Sequence, residues 1–162
     1  MLSASRLGAK QRLGAWVRLL ALAAGRPDRT WSAVLIGKGS RDASRTRLRA
    51  PGPAEALDHL ADLVALRDEG LRAPLPLPLK TGYAYAQCSG AQAGARQARH
   101  EWSGDRFPGE GAAGEHALLW PGGLPALLTG PPTERSEAVP TRFAELAHRV
   151  WGPLRAHEGA GR

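Results

Sequence analysis

The chain has 162 residues, room for one ordinary domain or a fragment of a larger protein and not for a multi-domain machine. Apolar residues at 43% and charged residues at 23% allow a packed core and argue against global disorder. The net charge of +7 is concentrated: residues 1–52 hold eleven Lys/Arg against two acids, a net of +9, and residues 53–162 hold eleven against thirteen, a net of −2. A field so concentrated favours a polyanion, either nucleic acid or an acidic partner surface. The single cysteine, Cys88, excludes an intrachain disulfide and a cysteine-based zinc cluster, and it suits a reducing compartment.

In chain order, residues 7–24 are predicted as a helix stopped by Gly25 and the Pro27-Asp28 turn. Arg6, Lys10 and Arg12 ahead of an apolar run imitate a secretory leader. Arg18 interrupts that run, and Leu13, Trp16, Val17, Leu20, Ala21 and Ala24 share one helical face. The segment therefore reads as an amphipathic helix of a cytoplasmic protein, too short to cross a bilayer. Trp31–Gly37 reads as a strand buried on both faces. Residues 37–45 read as a basic, flexible loop, and Thr46–Arg49 as a short exposed strand closed by Pro51-Gly52-Pro53.

Pro53 to Gly70 carries the strongest helix signature, with proline in the first turn, Glu55 at the positive end and glycine to terminate. Leu57, Leu60, Val64 and Leu71, widened by Leu63, form its predicted core stripe. Proline at every second position of Pro74–Leu79 forbids helix and gives a rigid extended connector. Thr81–Ala86 fits either a strand or a helix start. Residues 91–102 read as a helix with Ala91, Ala95, Ala98 and Trp102 on one side. Residues 103–140 are rich in Gly and Pro, with one apolar island at His116–Trp120. A last helix from Pro140-Thr141 presents Phe143, Leu146, Ala147, Val150 and Trp151 until Gly152-Pro153 breaks it. The expected domain spans 1–157, with 158–162 a flexible tail.

The chemistry-bearing motifs are mostly missing. Gly37-Lys38-Gly39-Ser40 follows a strand but has glycine where a phosphate loop needs a hydroxyl, leaving only backbone amides to meet a phosphate. The five histidines form neither His-x-x-x-His nor His-Glu-x-x-His, so no metal site is expected, and no Gly-x-Ser-x-Gly is present. Magnesium nucleases of the restriction-endonuclease type need an acid or amide two positions before a lysine. Lys10, Lys38 and Lys80 are preceded there by Gly8, Ile36 and Pro78, so that triad cannot be assembled and no catalytic residue is assigned. The tryptophans fit core packing better than base stacking. Arg41, Arg45, Arg47 and Arg49, with Lys38, are the candidates for contact with DNA or an acidic partner.

Several segments, in order, carry a resemblance. They are Ser5–Ala24 running into Trp31–Gly37; Leu57–Gly70 followed by Leu71-Arg-Ala-Pro-Leu-Pro-Leu-Pro; Trp102 with Gly109-Glu110-Gly111; and Phe143–Leu154. Together they resemble the C-terminal region of the exodeoxyribonuclease V gamma subunit, the RecC-type subunit of RecBCD helicase–nucleases. The likeness extends from about Ser5 to His157. It implies an α/β fold, a truncated restriction-endonuclease-like (PD-(D/E)xK-type) core with a small sheet flanked by helices and its catalytic residues absent. The missing acid-x-Lys agrees with that. It also implies a piece of a longer subunit with degenerate helicase-like domains in front, Met1 being an internal start.

The implied function is non-catalytic: subunit assembly and DNA-strand guidance in double-strand break repair and homologous recombination. The implied partners are RecB-type and RecD-type subunits, double-stranded DNA ends and unwound single strands, with no membrane. ATP and Mg would belong to the partner subunits, and no cofactor to this chain. Recognition of a recombination signal is a property of the helicase-like part and does not carry over. Two rivals remain open: a stand-alone basic nucleic-acid-binding module using Arg45, Arg47 and Arg49, and an atypical metal-dependent nuclease using Asp42, Glu110 and Glu115.

Overall fold

A computed structural model describes residues 6–39, 42–130 and 141–160. The described residues form an α/β chain of seven α-helices and one three-stranded antiparallel sheet in the order β1-β2-β3. The chain divides into two compact units, Met1–Arg72 with Pro153–Arg162, and Ala73–Gly152. A restriction-endonuclease-like core is not defined by three antiparallel strands alone.

The first unit opens with α1, Ala9–Gly25. Gln11 Oε1 accepts a hydrogen bond from the Gly8 N–H at 3.1 Å, so a side chain satisfies one donor that the helix start leaves over. Its buried residues are Ala9, Ala15, Trp16, Leu19, Leu20 and Ala23. That face is rotated from the predicted one, and Val17 is exposed. Residues 13–24 are apolar almost all round, so their periodicity does not choose a side. Arg12 chooses, because it shares the face of Trp16, Leu19 and Ala23 and bonds to the sheet beneath.

The hairpin follows. Strand β1, Ser32–Lys38, pairs with β2, Ala43–Arg49, in a register running from Ser32 opposite Arg49 to Lys38 opposite Ala43. The turn is closed by the Gly39 N–H donating to the Asp42 carbonyl at 2.9 Å. Much of the expected flexible 37–45 loop is thus strand. In β1, Leu35 and Gly37 are buried while Val34 and Ile36 are half-buried, so the strand has one covered face and not two. Strand β3, Glu158–Ala160, pairs antiparallel with β2 through Thr46–Ala160, Arg47–Gly159 and Leu48–Glu158. Part of the expected flexible tail is therefore sheet.

Helix α2, Pro53–Arg72, packs against α1, which also packs on β1. The predicted core stripe is overturned here. Leu57, Val64 and Leu71 are exposed, whereas the buried positions are Ala56 and Leu66. Leu66 lies nine residues from Leu57, two and a half turns on and so on the opposite side. The helix is apolar on two sides, and α1 covers the one where Ala56 lets it approach. Gly70 does not end the helix, which reaches Arg72.

The second unit begins with the extended proline segment and then α3, Leu79–Ala86, which resolves the ambiguous Thr81–Ala86 as helix. Helix α4, Ala91–Ser103, packs on α3 at a distance that glycine sets: a Cβ on Gly94 would stand 2.9 Å from the Tyr85 carbonyl oxygen. Buried on α4 are Gly94 and Ala98, and not the whole predicted alanine face. The Gly/Pro-rich region holds a 3₁₀ turn at Glu110–Ala112, then α5, Gly114–Leu119, and α6, Gly123–Thr129. Residues 131–140, Pro140 among them, lie outside the described residues.

Helix α7, Arg142–Ala156, buries Phe143, Leu146, Ala147, Val150 and Trp151 as predicted, and Leu154 as well. It runs through Pro153, which forfeits one hydrogen bond near the end while burial of Leu154 holds the final turn. Within the unit the Tyr85 ring meets Phe143 edge-on at 5.2 Å, and Tyr83 lies 4.9 Å from Trp151. Trp16 and Trp151 are core; Trp31, Trp102 and Trp120 are half-buried. Among the described residues no helix is long and apolar enough to cross a membrane.

Two outcomes follow from this packing. Leu66→Ala is expected to cost about 2–4 kcal/mol in urea denaturation, while Leu57→Ala changes stability by under about 1 kcal/mol; the reverse order would restore the sequence-derived stripe. Burial pushes the Tyr85 phenol above its ordinary value of 10.0. The unfolded chain then ionises first, so stability is full below that value and falls as pH rises beyond it. Comparison of denaturation midpoints from pH 8 to 11 should show a shallower alkaline loss for Tyr85→Phe.

Candidate nucleic-acid interface

The arginines at 45, 47 and 49 alternate with Thr46 and Leu48 along β2, and a strand sends alternate residues to opposite faces. Thr46 and Leu48 are buried, so all three arginines point outward on one face, about 6.6 Å apart along the strand. The pairing register sets Ile36 beside Arg45, Val34 beside Arg47 and Ser32 beside Arg49. By the same alternation Lys38 belongs to this face, at the turn end of β1. On the other side of β2, Arg47 faces Gly159, which has no side chain to cover it. The result is an open sheet face with four cations over a half-buried Val34 and Ile36 floor.

The opposite face explains why these charges stay unneutralised. Glu158 of β3 is opposite Leu48 and so lies on the buried side of the sheet. There it pairs with Arg12, whose guanidinium also donates to Thr46 Oγ1 at 3.4 Å. The carboxylate nearest the sheet is thus held away from the arginines by the sheet itself. Among the described residues no acid pairs with Lys38, Arg45, Arg47 or Arg49. Arg41 lies outside the described residues, as does Ser40.

At the Arg49 end of the hairpin a half-open cleft of about 330 Å³ is lined by Trp31, Pro27, Asp28, Arg29 and the Ala50–Pro53 segment. Its only carboxyl, Asp28, is held below its ordinary value chiefly by the Arg26 guanidinium, 3.2 Å away. A single carboxylate already paired with arginine supplies neither a metal set nor an acid–base couple.

The acids of the rival nuclease reading belong to different compact units. Asp42 is in the β1–β2 turn of the first unit, whereas Glu110 and Glu115 belong to the second. Glu110 is occupied: Oε1 accepts from the Lys80 N–H at 3.0 Å and Oε2 from the Thr81 N–H at 2.7 Å. It caps the start of α3 from thirty residues away, satisfying donors that Pro78, lacking a side-chain acceptor, leaves open. The same turn holds His116, whose Nδ1 lies 2.7 Å from the Glu110 carbonyl and whose ring stacks on Trp102 at 5.6 Å. Among the described residues no three His, Cys, Asp or Glu side chains gather to hold a metal ion.

The arginines are visible in the sequence as candidates, and what positions them is not. The Arg-x-Arg-x-Arg spacing was itself a signal for a strand with one charged face. Nothing local announced Arg12 or Glu158, because their pairing joins the two ends of the chain.

An α/β unit with one buried and one cationic sheet face is the class of structure defined so far. Sequence comparison gives the family: a model of the RecC C-terminal domain matches residues 1–90, and the chain belongs to that family. It is 41% identical over 162 residues to the RecBCD enzyme subunit RecC of Mycobacterium tuberculosis (strain CDC 1551 / Oshkosh), covering 96% of this chain and 15% of that protein. It is 53% identical over 83 residues to the subunit of the same name from Mycolicibacterium smegmatis, covering 51% of this chain and 8% of that one. The chain thus spans a small fraction of the length of the curated relatives it matches.

Substituting the cap tests the structural role of Glu110. Glu110→Gln is expected to lower stability by about 1–2 kcal/mol and to speed hydrogen exchange at the Lys80 and Thr81 amides. Unchanged exchange at both would sever Glu110 from α3.

Proposed function

We propose that the chain acts as the non-catalytic C-terminal domain of a RecC-type subunit. On this reading it serves double-strand break repair and recombination by holding partner subunits of RecB and RecD type and by guiding DNA. Its sheet is the remnant of a restriction-endonuclease-like core that lacks the acid-x-Lys of the active enzymes. Family membership supports the assignment to RecBCD-type complexes. One observation carries the guidance role: Arg45, Arg47 and Arg49 stand in a row on an uncovered sheet face while Glu158 is bound to Arg12 on the other.

Such a row suits phosphates. Guanidinium groups bind them bidentately, and the contacts carry no sequence information, so binding is expected to be sequence-tolerant and strongly salt-dependent. The half-buried Val34 and Ile36 between the cations offer apolar contact to sugars or base faces, but no aromatic stacking platform. The metal-nuclease rival has no observation in its favour, since Glu110 is spent on α3.

The measurement is affinity for a DNA duplex with a single-stranded end as a function of salt. Arg45→Ala, Arg47→Ala and Arg49→Ala should each weaken binding to unrelated sequences alike and reduce the salt slope by about one. A triple alanine variant that binds as well as the parent would overturn the assignment of this face.

A further inference from the structure

We infer that the cleft at Trp31 receives one unpaired base of a DNA strand whose phosphates lie along the arginine row. The inference rests on the DNA-guiding role and deepens it, adding a preference for single-stranded over fully paired DNA at one end of the sheet.

The observation is an indole without a ring partner. Trp16 lies against His59 and His157, Trp151 against Tyr83, and Trp102 and Trp120 against His116 and each other. Among the described residues Trp31 is the one tryptophan that meets no other aromatic or imidazole ring, and it lines the half-open cleft of about 330 Å³. Its position is fixed. Nε1 donates to the Arg26 carbonyl at 3.2 Å, and the Arg29 N–H donates to the same oxygen at 3.3 Å. One acceptor just past α1 thus holds both the turn and the edge of the ring. Pro27, Pro51 and Pro53 wall the cleft, and their locked φ keeps those walls rigid. Ring and walls stand in place before any ligand arrives, which lowers the ordering cost of binding.

Position and charge name the occupant. Ala50 of the cleft wall follows Arg49 directly, and Trp31 precedes Ser32, the residue paired with Arg49. A strand held by its phosphates on Arg45, Arg47 and Arg49 therefore reaches the indole by turning the end of the hairpin. Arg29 lines the cleft as a further cation. Asp28, the one acid there, already faces Arg26 at 3.2 Å and Arg29 at 3.5 Å, so it sets no unmatched negative charge against a phosphate. A flat ring beside guanidinium groups matches a nucleotide, which brings both a base face and an anion. A base inside a duplex has its faces covered by its neighbours, so only an unpaired one can stack here. A proline-rich peptide would use the indole and leave the arginines unmatched.

The test uses the 162-residue chain and a DNA duplex carrying one of two single-stranded tails, thymine or abasic, which have equal numbers of phosphates. The thymine tail should bind tighter by about fivefold or more. Trp31→Ala should bind both tails equally with the salt slope unchanged, and Trp31→Phe should keep part of the preference. On the parent chain, which needs no substitution to stay folded, a 5-iodouracil tail should photo-crosslink to Trp31. Equal affinity of the parent for the two tails overturns the inference; it leaves the guiding role standing if the triple Arg45, Arg47 and Arg49 alanine variant still loses binding. If a proline-rich peptide then binds and Trp31→Ala removes it, the cleft is a peptide groove. A preference kept by Trp31→Ala, or a crosslink elsewhere, also overturns it. So does thymidine monophosphate that competes as well as the tail, which would make this a site for free nucleotides. Absence of any DNA binding by the parent overturns the guiding role together with the cleft.

Discussion

The bond between Arg12 and Glu158 is the constraint on which the first unit turns. It joins α1 to the last strand and sits beneath the sheet, with side chains only 13% and 19% exposed. Breaking one partner of a fully buried pair costs about 3–5 kcal/mol, and this pair, being mostly covered, approaches that regime. The pair ties α1 to β3 on the side of the sheet where Leu35, Thr46 and Leu48 are buried. Because strand side chains alternate strictly, settling Thr46 and Leu48 inward leaves the arginines no choice but outward. The surface charge thus appears on the sheet face opposite the ion pair.

The same division of labour runs through the chain. Three carboxylates are tied to structure: Glu158 to Arg12, Glu110 to the α3 start, and Glu145 to Arg142 at 2.8 Å. The arginines of β2 have no such duty. An enzyme of the restriction-endonuclease kind needs the opposite, acids released from structural bonds to hold a metal. In the described residues Glu110, Glu145 and Glu158 are engaged in such structural bonds, and the chain belongs to the RecC C-terminal domain family.

Local signals in the sequence were read well, and long-range ones were not. The helices at 9–25, 53–72, 91–103 and 142–156 follow from periodicity, proline and glycine, and the family likeness was visible in ordered segments. The α2 stripe failed because a helix apolar on two sides gives periodicity two answers, and only the position of α1 selects between them. Strand β3 failed because Glu158-Gly-Ala is too short and too polar to signal a strand; it is one only because β2 offers a free edge. Of the candidate basic residues the sequence shows the spacing, whereas the common face of Arg45, Arg47 and Arg49 depends on Thr46 and Leu48 being buried, which involves contacts as distant as Arg12.

The order of the units along the chain has a consequence for how it folds. The first unit is discontinuous: Met1–Arg72 and Pro153–Arg162 enclose Ala73–Gly152 as an insert. Hairpin β1–β2 closes within a short span, but β3 reaches β2 only after the entire insert has been made. A contact of such sequence separation forms late and slows folding. Its equilibrium penalty, however, grows only with the logarithm of loop length, about 0.6 kcal/mol per doubling. Helix α7 crosses the boundary at Gly152/Pro153, so the chain enters the last segment of the first unit as a continuous helix.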